Sequence, residues 1–391
     1  MARISFSSRL LVGLALTLAS LPVEARSPQA APLPPFTQAY QPQGVDERGM
    51  WMVADEDERL LRDSRFVISD PGLQRYVRDI LCRTVGDERC RNVRLYVLRV
   101  PQFNATMYPN GMMTVYSGLL LRMRNEAELG AVLAHEFGHF ELRHSLNGFK
   151  AYRTAGDIIT WASILASNNR SIPEAVTGAF YAFERDQEKE ADIQGARYLG
   201  LSPYPSAAAA DVWERQMAEQ DATQLGRKRK ATHSYKAGYS ASHPTELARA
   251  TYLRQEALRI GDEGDPAASA YRQGIAKWLP IFLDDQIKLN DFGGTEFILQ
   301  SLAGNDWTPD LLYARAELYR QRGNPRDLVS ASQFYQEAIA KGYANPDVHR
   351  GLGLALMRSQ QVEAGQAALR QYLNLAPDAK DAAMISALLA N

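Results

Sequence analysis

Cysteine and histidine are both scarce in this chain, which limits the kinds of metal site it can form. Its 391 residues include only two cysteines and six histidines. No second cysteine or histidine pair lies near the two cysteines, as a zinc site of the zinc-finger type would require. The two cysteines are therefore not expected to bind zinc.

An excess of charge of either sign is also absent. The formal net charge is −1, with 46% apolar and 23% charged residues. This composition is typical of a globular protein and gives no indication of nucleic acid or an anionic membrane as a partner. The basic run at 227–230 is short and polar in context, so we interpret it as solvated surface. The length favours two domains.

The chain lacks an apolar run long enough to span a bilayer. Arg3 and Arg9 precede a short apolar core at 10–21, and residues 23–25 provide small side chains of the kind that signal peptidase recognises. The core falls short of the ~20 residues of a membrane-spanning helix. We therefore predict a cleavable signal peptide over 1–25 and an exported, soluble protein without a transmembrane segment. An uncleaved anchor is the alternative.

The two cysteines are expected to form a disulfide bond. Cys82 and Cys90 have seven residues between them. An even number of cysteines in an exported chain favours a bond, because the compartment is oxidising. Two free thiols are the alternative.

The order of elements predicts a mainly α-helical protein with a small β-sheet. Residues 26–45 have the composition of a flexible N-terminal segment. A first domain over 46–260 begins with helices, continues with strands near 92–100 and 112–116, and ends in further helices. The sequence GDEGDP at 261–266 reads as a boundary before a second domain over 266–391.

Two segments of the second domain resemble each other. Residues from about 310–342 and 345–377 are alike: Tyr335 and Ala338 of the first segment match Leu369 and Tyr372 of the second, 34 residues later, which is the length of a tetratricopeptide repeat. The second segment carries small and apolar residues typical of that repeat, namely Leu352, Gly353, Leu356, Gly365, Leu369 and Pro377. Such helix pairs stack into a solenoid with a curved groove. A helical bundle without repeats is the alternative.

The stretch AVLAHEFGHFELRH, residues 131–144, contains two histidines four positions apart. On a helix, His135 and His139 lie one turn apart on one face, where both imidazoles can bind one zinc ion. Glu136 projects beside them and is expected to act as a general base. A surface helix with coincidental histidines is the alternative. The other histidines of this stretch and of later loops are interpreted as surface or structural residues: His144, His233 and His349.

A later helix, with the sequence RDQEKEADIQGARYLG, supplies a third ligand. Glu188 and Asp192 are four residues apart and share one helical face. Glu188 is expected to bind the metal, and Asp192 to accept a hydrogen bond from the far nitrogen of a ligand histidine, which fixes the orientation of its ring. Glu184, one turn earlier, is the alternative ligand. Glu190 is interpreted as a solvated surface charge.

These motifs resemble the zinc metallopeptidase family that includes the CAAX prenyl protease and the heat-shock protease HtpX. The family pattern is HExxH followed by ExxxD on a later helix, matched here by 135–139 and 188–192. The segments NATMYPNGMMTVYSGLL and SHPTELAR are also similar to family segments. The resemblance covers roughly residues 50–255. It implies a gluzincin metallopeptidase domain that holds one zinc ion per chain, followed here by a solenoid of tetratricopeptide-like repeats.

The resemblance further implies roles for two residues of the later segment. His243 would lie near the zinc, either as a donor to the developing oxyanion or as a fourth ligand that keeps the enzyme latent. Arg249 would support the same negative charge. The loop before His243 is expected to act as a lid. An ordinary loop histidine is the alternative.

Together with the export signal and the repeats, the resemblance implies a zinc-dependent endopeptidase of the bacterial periplasm. Its expected substrates are unfolded or misassembled envelope proteins, including those of the outer membrane. The repeats would recruit these clients or contact the outer-membrane assembly machinery, and the strand at 112–116 would offer its edge to extended substrate. The alternative is a chaperone-like client-binding module whose metal site is latent or structural.

Overall fold

The computed structural model describes residues 41–165, 171–238, 241 and 243–390. The predicted signal peptide and the first part of the predicted flexible segment, residues 26–40, lie outside the described residues. Within the described ranges, no helix combines the length and the apolar composition that crossing a membrane requires.

The described residues form seventeen helices and three short strands. In chain order these are α1 (Gly44–Arg62), α2 (Pro71–Val85), α3 (Asp87–Cys90), β1 (Arg94–Leu98), β2 (Ala105–Met107), β3 (Met112–Tyr116), α4 (Ser117–Arg122), α5 (Glu126–Glu141), α6 (His144–Leu165), α7 (Ser171–Gly200), α8 (Ala208–Gly226), α9 (Glu246–Ile260), α10 (Ala268–Ile275), α11 (Leu279–Ile287), α12 (Phe292–Ala303), α13 (Pro309–Arg322), α14 (Pro325–Ala340), α15 (Asp347–Arg358), α16 (Val362–Leu375) and α17 (Ala382–Ala390). A mainly helical protein with a small sheet is therefore confirmed.

The three strands form one sheet in the order β1–β3–β2. β3 pairs in parallel with β1 and antiparallel with β2, with Thr106 opposite Thr114. The prediction that β3 offers a free edge is wrong, because both of its sides are paired within the sheet. β2, which the sequence did not predict, is the edge strand beside α5, and β1 is the other edge strand. Three residues are too few for a strand pattern to stand out in the sequence.

Helix α5 carries the HExxH motif and begins at a side-chain cap. The Asn125 side chain accepts a hydrogen bond of 2.8 Å from the backbone N–H of Glu128. Leu129, Leu133 and Phe137 recur at helical spacing and are fully buried, where α5 packs against α2 and α7. This face anchors α5 in the core. Its opposite face, with the two histidines, lies beside β2.

Helices α10 to α12 pack onto the body that contains α5. The Tyr271 hydroxyl donates to the Leu120 carbonyl oxygen at 2.5 Å, and Arg122 bonds both Glu219 and Gln286. One apolar core runs through these elements and ends in α13. The predicted boundary at 261–266 forms the link between α9 and α10. The division into two domains stays a prediction.

The C-terminal helices pack in sequential pairs. α13 lies against α14, α14 against α15, and α15 against α16. Their apolar residues form a separate buried cluster that includes Leu312, Tyr335 and Leu352. Each helix thus contacts mainly its neighbours in the chain, which keeps this region's packing local.

Candidate metal centre

Two helices bring three potential metal ligands together. α5 contributes His135 and His139, and α7, which packs along it, contributes Glu188. The two Nε2 atoms are 3.1 Å apart, and the Glu188 carboxylate lies 3.7 Å from His135 Nε2 and 3.4 Å from His139 Nε2. All three donor atoms lie within 4.8 Å of one another.

This donor set fits zinc. Two imidazole nitrogens and one carboxylate oxygen leave a fourth position open, as in catalytic zinc sites. Among the described residues, the metal-binding group formed on α5 and α7 comprises His135, His139 and Glu188 and does not include Glu184. We therefore retain Glu188 as the predicted ligand on α7.

A buried ion-pair network supports the far side of His135. Asp192 Oδ1 lies 2.8 Å from His135 Nδ1, so the carboxylate can accept the proton of that nitrogen. Arg249 donates two hydrogen bonds of 2.5 and 2.8 Å to the same carboxylate, and the Tyr252 hydroxyl donates to it as well. The Arg249 guanidinium lies 3.7 Å above the Trp213 ring. These contacts fix the tautomer and orientation of the His135 ring.

The electrostatics of this network keep Asp192 ionised. Burial disfavours a charged carboxylate, but Arg249 and His135 outweigh that effect and hold the pKa of Asp192 well below its usual range. Burial likewise opposes the charged form of His135, yet Asp192 raises the pKa of that imidazole.

His144 contacts the other ligand histidine, a neighbour that the sequence interpretation missed. It begins α6, is only 5% exposed, and places its Nδ1 2.9 Å from His139 Nδ1. Its Nε2 faces the Glu190 carboxylate at 3.3 Å. Glu190 is therefore not solely a solvated surface charge. Burial lowers the pKa of His144 to about 4, so it is neutral at ordinary pH.

Glu136 stands between the ligands and the edge strand. Its carboxylate accepts a hydrogen bond of 3.2 Å from the backbone N–H of Met107 in β2. Burial raises the pKa of Glu136 to about 7, and the nearby Glu188 contributes to the shift. A carboxylate with this pKa accepts and returns a proton near neutral pH.

The two residues assigned by resemblance occupy different positions. The His243 side chain is exposed, and its Nδ1 lies 3.2 Å from the Glu188 carboxylate. Arg249 is buried, pairs with Asp192, and approaches Glu188 at 3.5 Å. Its strongest contacts are thus with the network behind His135. A role of Arg249 at the oxyanion stays a prediction.

A cavity of about 530 Å³ opens in front of these residues. Its floor holds the three donors and Glu136, one wall is β2, and another wall is apolar, with Val132, Val212 and Leu253. Tyr116 N–H donates to the Asn104 carbonyl and Tyr108 N–H to the Met112 carbonyl. In an antiparallel pair these groups alternate, so the backbone groups of Ala105 and Met107 face away from β3.

Away from the cleft, Cys82 and Cys90 are joined by a disulfide bond. It ties the last turn of α2 to α3, ahead of the strand that begins at Arg94.

Comparison with known proteins extends over the same part of the chain. Residues 69–257 match peptidase family M48, which confirms the resemblance to HExxH metallopeptidases. Mitochondrial metalloendopeptidase OMA1 of Schizosaccharomyces pombe is 28% identical over 178 residues, 44% of this chain and 50% of that protein. The putative beta-barrel assembly-enhancing protease of Vibrio cholerae serotype O1 is 28% identical over 174 residues, 40% of this chain and 35% of that protein.

A third similar protein has a narrower match. Metalloprotease YcaL of Escherichia coli strain K12 is 38% identical over 107 residues, which cover 26% of this chain and 41% of that protein. The chain therefore spans half or less of the length of each of these three relatives.

Proposed function

We propose that this chain, whose residues 69–257 match peptidase family M48, is a zinc-dependent endopeptidase. The observation that carries the proposal is the convergence of His135, His139 and Glu188 within 4.8 Å, with Glu136 beside them in an open cleft. This constellation suits hydrolysis better than a structural metal site, because structural zinc is closed by four protein ligands.

The roles of the residues follow from their positions. Zinc, when bound, acts as a Lewis acid on the scissile carbonyl and lowers the pKa of water. Glu136 removes a proton from the attacking water and delivers it to the nitrogen of the leaving amine. Asp192 and Arg249 hold His135 in place during these steps.

Substrate is proposed to bind as an extended strand along β2. The backbone groups of Ala105 and Met107 face the cleft, and the Met107 N–H already donates to Glu136. The Ala105 N–H and C=O and the Met107 C=O are therefore the groups available for pairing with a peptide. Backbone pairing does not read side chains, so we expect loose sequence specificity.

His243 is proposed to restrain the resting enzyme. Its imidazole already contacts Glu188, and a neutral imidazole is a suitable fourth zinc ligand. If it occupies that position, it excludes the attacking water. Stabilisation of the oxyanion by the same side chain is the other role that its position permits.

The C-terminal helices are proposed to form a solenoid of tetratricopeptide-like repeats that recruits clients. The repeat of 34 residues and the sequential packing of α13 to α16 support this assignment. Helix α12 lies between this region and α8, and the Thr223 hydroxyl of α8 donates to Asp291, at the start of α12, at 2.7 Å. The chain segment leading to His243 begins just beyond, at Arg227. Client binding can shift this segment if clients bind its open form more tightly.

The proposed clients are misassembled envelope proteins of the bacterial periplasm. The support is the export signal predicted over 1–25 and the similarity to a protein named beta-barrel assembly-enhancing protease. The outer-membrane assembly machinery is the partner that this similarity suggests for the repeats. The second candidate function is a chaperone-like module with a latent metal site. The C-terminal helix pairs would suit client binding in that case as well.

Complementation separates these two functions. A strain that lacks the protein is supplied with the wild type, with Glu136→Gln, or with the matched control Asp186→Asn, an exposed acid on α7. An endopeptidase predicts that misassembled outer-membrane proteins accumulate only with Glu136→Gln. Full complementation by Glu136→Gln would instead assign the function to client binding.

A further inference from the structure

We infer that His144 and Glu190 form a hydrogen-bonded relay that sets the tautomer and orientation of the metal ligand His139. Both are positioning residues, since they act through His139 and do not face the metal position. The inference rests on the proposed zinc site. It adds to that site a second supporting chain, separate from the Asp192 network behind His135.

The first support is the geometry of the two imidazoles. His139 directs Nε2 toward His135 Nε2 and Glu188, at 3.1 and 3.4 Å, and directs Nδ1 toward His144 Nδ1 at 2.9 Å. One ring edge therefore faces the metal position, while the other edge faces His144. The His144 ring in turn places Nε2 3.3 Å from Glu190 Oε2.

Only one arrangement of protons satisfies all three groups. A neutral imidazole carries one N–H and one lone pair. If His139 Nε2 binds a metal, its proton lies on Nδ1 and is donated to the lone pair of His144 Nδ1. The proton of His144 then lies on Nε2 and is donated to the Glu190 carboxylate. The opposite direction would place a proton on His139 Nε2 and exclude the metal.

The turn between α5 and α6 presents His144 in this position. Arg143, the residue before it, has a φ of 57°, a left-handed conformation that is costly for a residue with a Cβ atom. Its guanidinium bonds the buried Glu47 carboxylate of α1 at 2.5 Å, which anchors the turn. The turn therefore places the His144 imidazole against His139, five residues earlier in the chain.

The two ligand histidines therefore have unequal support. His135 donates to a buried carboxylate that Arg249 and Tyr252 also bind. His139 donates to a neutral imidazole, and the carboxylate at the end of that relay is 54% exposed. A bond to a neutral acceptor is weaker than one to a carboxylate. We expect the relay to matter less for zinc affinity than the Asp192 network.

The test compares zinc affinity, by chelator competition, in four full-length variants. His144→Leu removes the acceptor for His139 Nδ1–H, whereas His144→Gln retains one in its side-chain carbonyl. Glu190→Leu removes the end of the relay. Asp186→Leu, on the same helix and also exposed, is the matched control.

Loss of a hydrogen bond behind a metal ligand weakens metal affinity by about 10–100-fold. We expect His144→Leu to lose affinity by about tenfold, at the low end of that range. His144→Gln should recover most of the loss, Glu190→Leu should show a smaller loss, and Asp186→Leu none. The visible spectrum of the cobalt-substituted protein should shift for His144→Leu and not for Asp186→Leu.

Wild-type affinity in His144→Leu, with an unchanged cobalt spectrum, would overturn the relay alone. An equal loss in His144→Gln and His144→Leu would also overturn it, because a merely structural role for the buried side chain predicts that result. Thermal unfolding of the metal-free variants identifies any general loss of folding. A wild-type protein that binds no zinc would overturn the proposed function and the relay with it.

Discussion

Helices approach one another closely in both the metal cleft and the C-terminal pairs, but the contacts serve different ends. In the cleft, a Cβ atom added to Gly195 of α7 would lie 3.0 Å from the backbone nitrogen of His135. In the C-terminal pairs, one added to Gly353 of α15 would lie 2.6 Å from Leu369 Cγ. Close approach thus aligns polar ligands in the first region and excludes water from apolar side chains in the second.

The ion pairs of the two regions also differ, in how deeply they are buried. Asp192 and Arg249 are buried and pair beneath a metal ligand, with side-chain exposures of 3% and 6%. In the C-terminal region, Arg350 and Asp381 pair at 2.8 Å but remain partly exposed. Buried pairs are costly to break, while exposed pairs contribute little. We therefore expect removal of the Asp192–Arg249 pair to lower the free energy of unfolding more than removal of the Arg350–Asp381 pair.

The largest expected effect follows removal of a buried carboxylate. Asp192→Leu leaves Arg249 buried without its carboxylate, so we expect the zinc-free protein to lose about 3–5 kcal/mol of its free energy of unfolding. Asp381→Leu also removes the acceptor of the Tyr372 hydroxyl, and we expect it to cost about 1–2 kcal/mol. Urea unfolding of both variants measures the difference. Similar losses would show that the two regions do not differ in this respect.

The close helix contacts give the second prediction. Valine at either glycine overpacks the interface, which typically costs about 1–3 kcal/mol. Because Gly195 lies against His135, Gly195→Val should also separate the ligands and weaken zinc binding by about tenfold or more. Gly353→Val should leave zinc affinity and cleavage of a short peptide unchanged. Zinc titration and peptide turnover in both variants provide the check, and reduced zinc affinity in Gly353→Val would break the comparison.

Acid sensitivity provides a third prediction, at the contact between α1 and the sheet. Burial disfavours the charged form of Glu58, but bonds from Arg94, Arg62 and Tyr96 outweigh it and lower its pKa to about 2. The unfolded chain has a value of about 4.3, so these bonds stabilise the fold above about pH 4 and are lost as pH falls toward 2.

Glu58→Gln should therefore lower the free energy of unfolding by about 1–3 kcal/mol at neutral pH. It should also make that free energy depend less on pH between about pH 4 and 2. Its matched control is Glu56→Gln, which alters an exposed pair with Arg59 in the same helix. Urea unfolding at several pH values measures both. An unchanged acid dependence in Glu58→Gln would rule out this carboxylate as its source.

The smallest expected effect concerns His243, which follows the chain segment that begins after α8 at Arg227. If His243 occupies the fourth metal position, His243→Ala should cleave an unfolded substrate severalfold faster than the wild type at equal zinc content. A loss on the order of a hundredfold would instead indicate an oxyanion donor. Equal rates would remove His243 from the site.

Much of this architecture could be predicted from sequence where one element carries the whole pattern. The HExxH and ExxxD spacings lie within single helices, and β3 has the predicted bounds. The C-terminal helices contact their chain neighbours, as the predicted repeat requires, but the tetratricopeptide assignment stays a prediction.

What sequence reasoning missed depends on contacts between distant segments. Tyr252 reaches Asp192 across sixty positions, and His144 meets Glu190 only because α6 packs along α7. Neither contact has a spacing that a linear pattern can reveal. The two-sided pairing of β3 was missed for the same reason, because it depends on a strand of three residues.

The central claim is that the two helices hold a zinc ion and that Glu136 uses it to hydrolyse peptide bonds. The most direct test measures zinc content and casein cleavage in one preparation of the wild type and one of Glu136→Gln. Since Glu136 is not a ligand, both should hold one zinc ion per chain, and only the wild type should cleave. Cleavage at the wild-type rate by Glu136→Gln, or a wild-type protein that cleaves without zinc, would contradict the account.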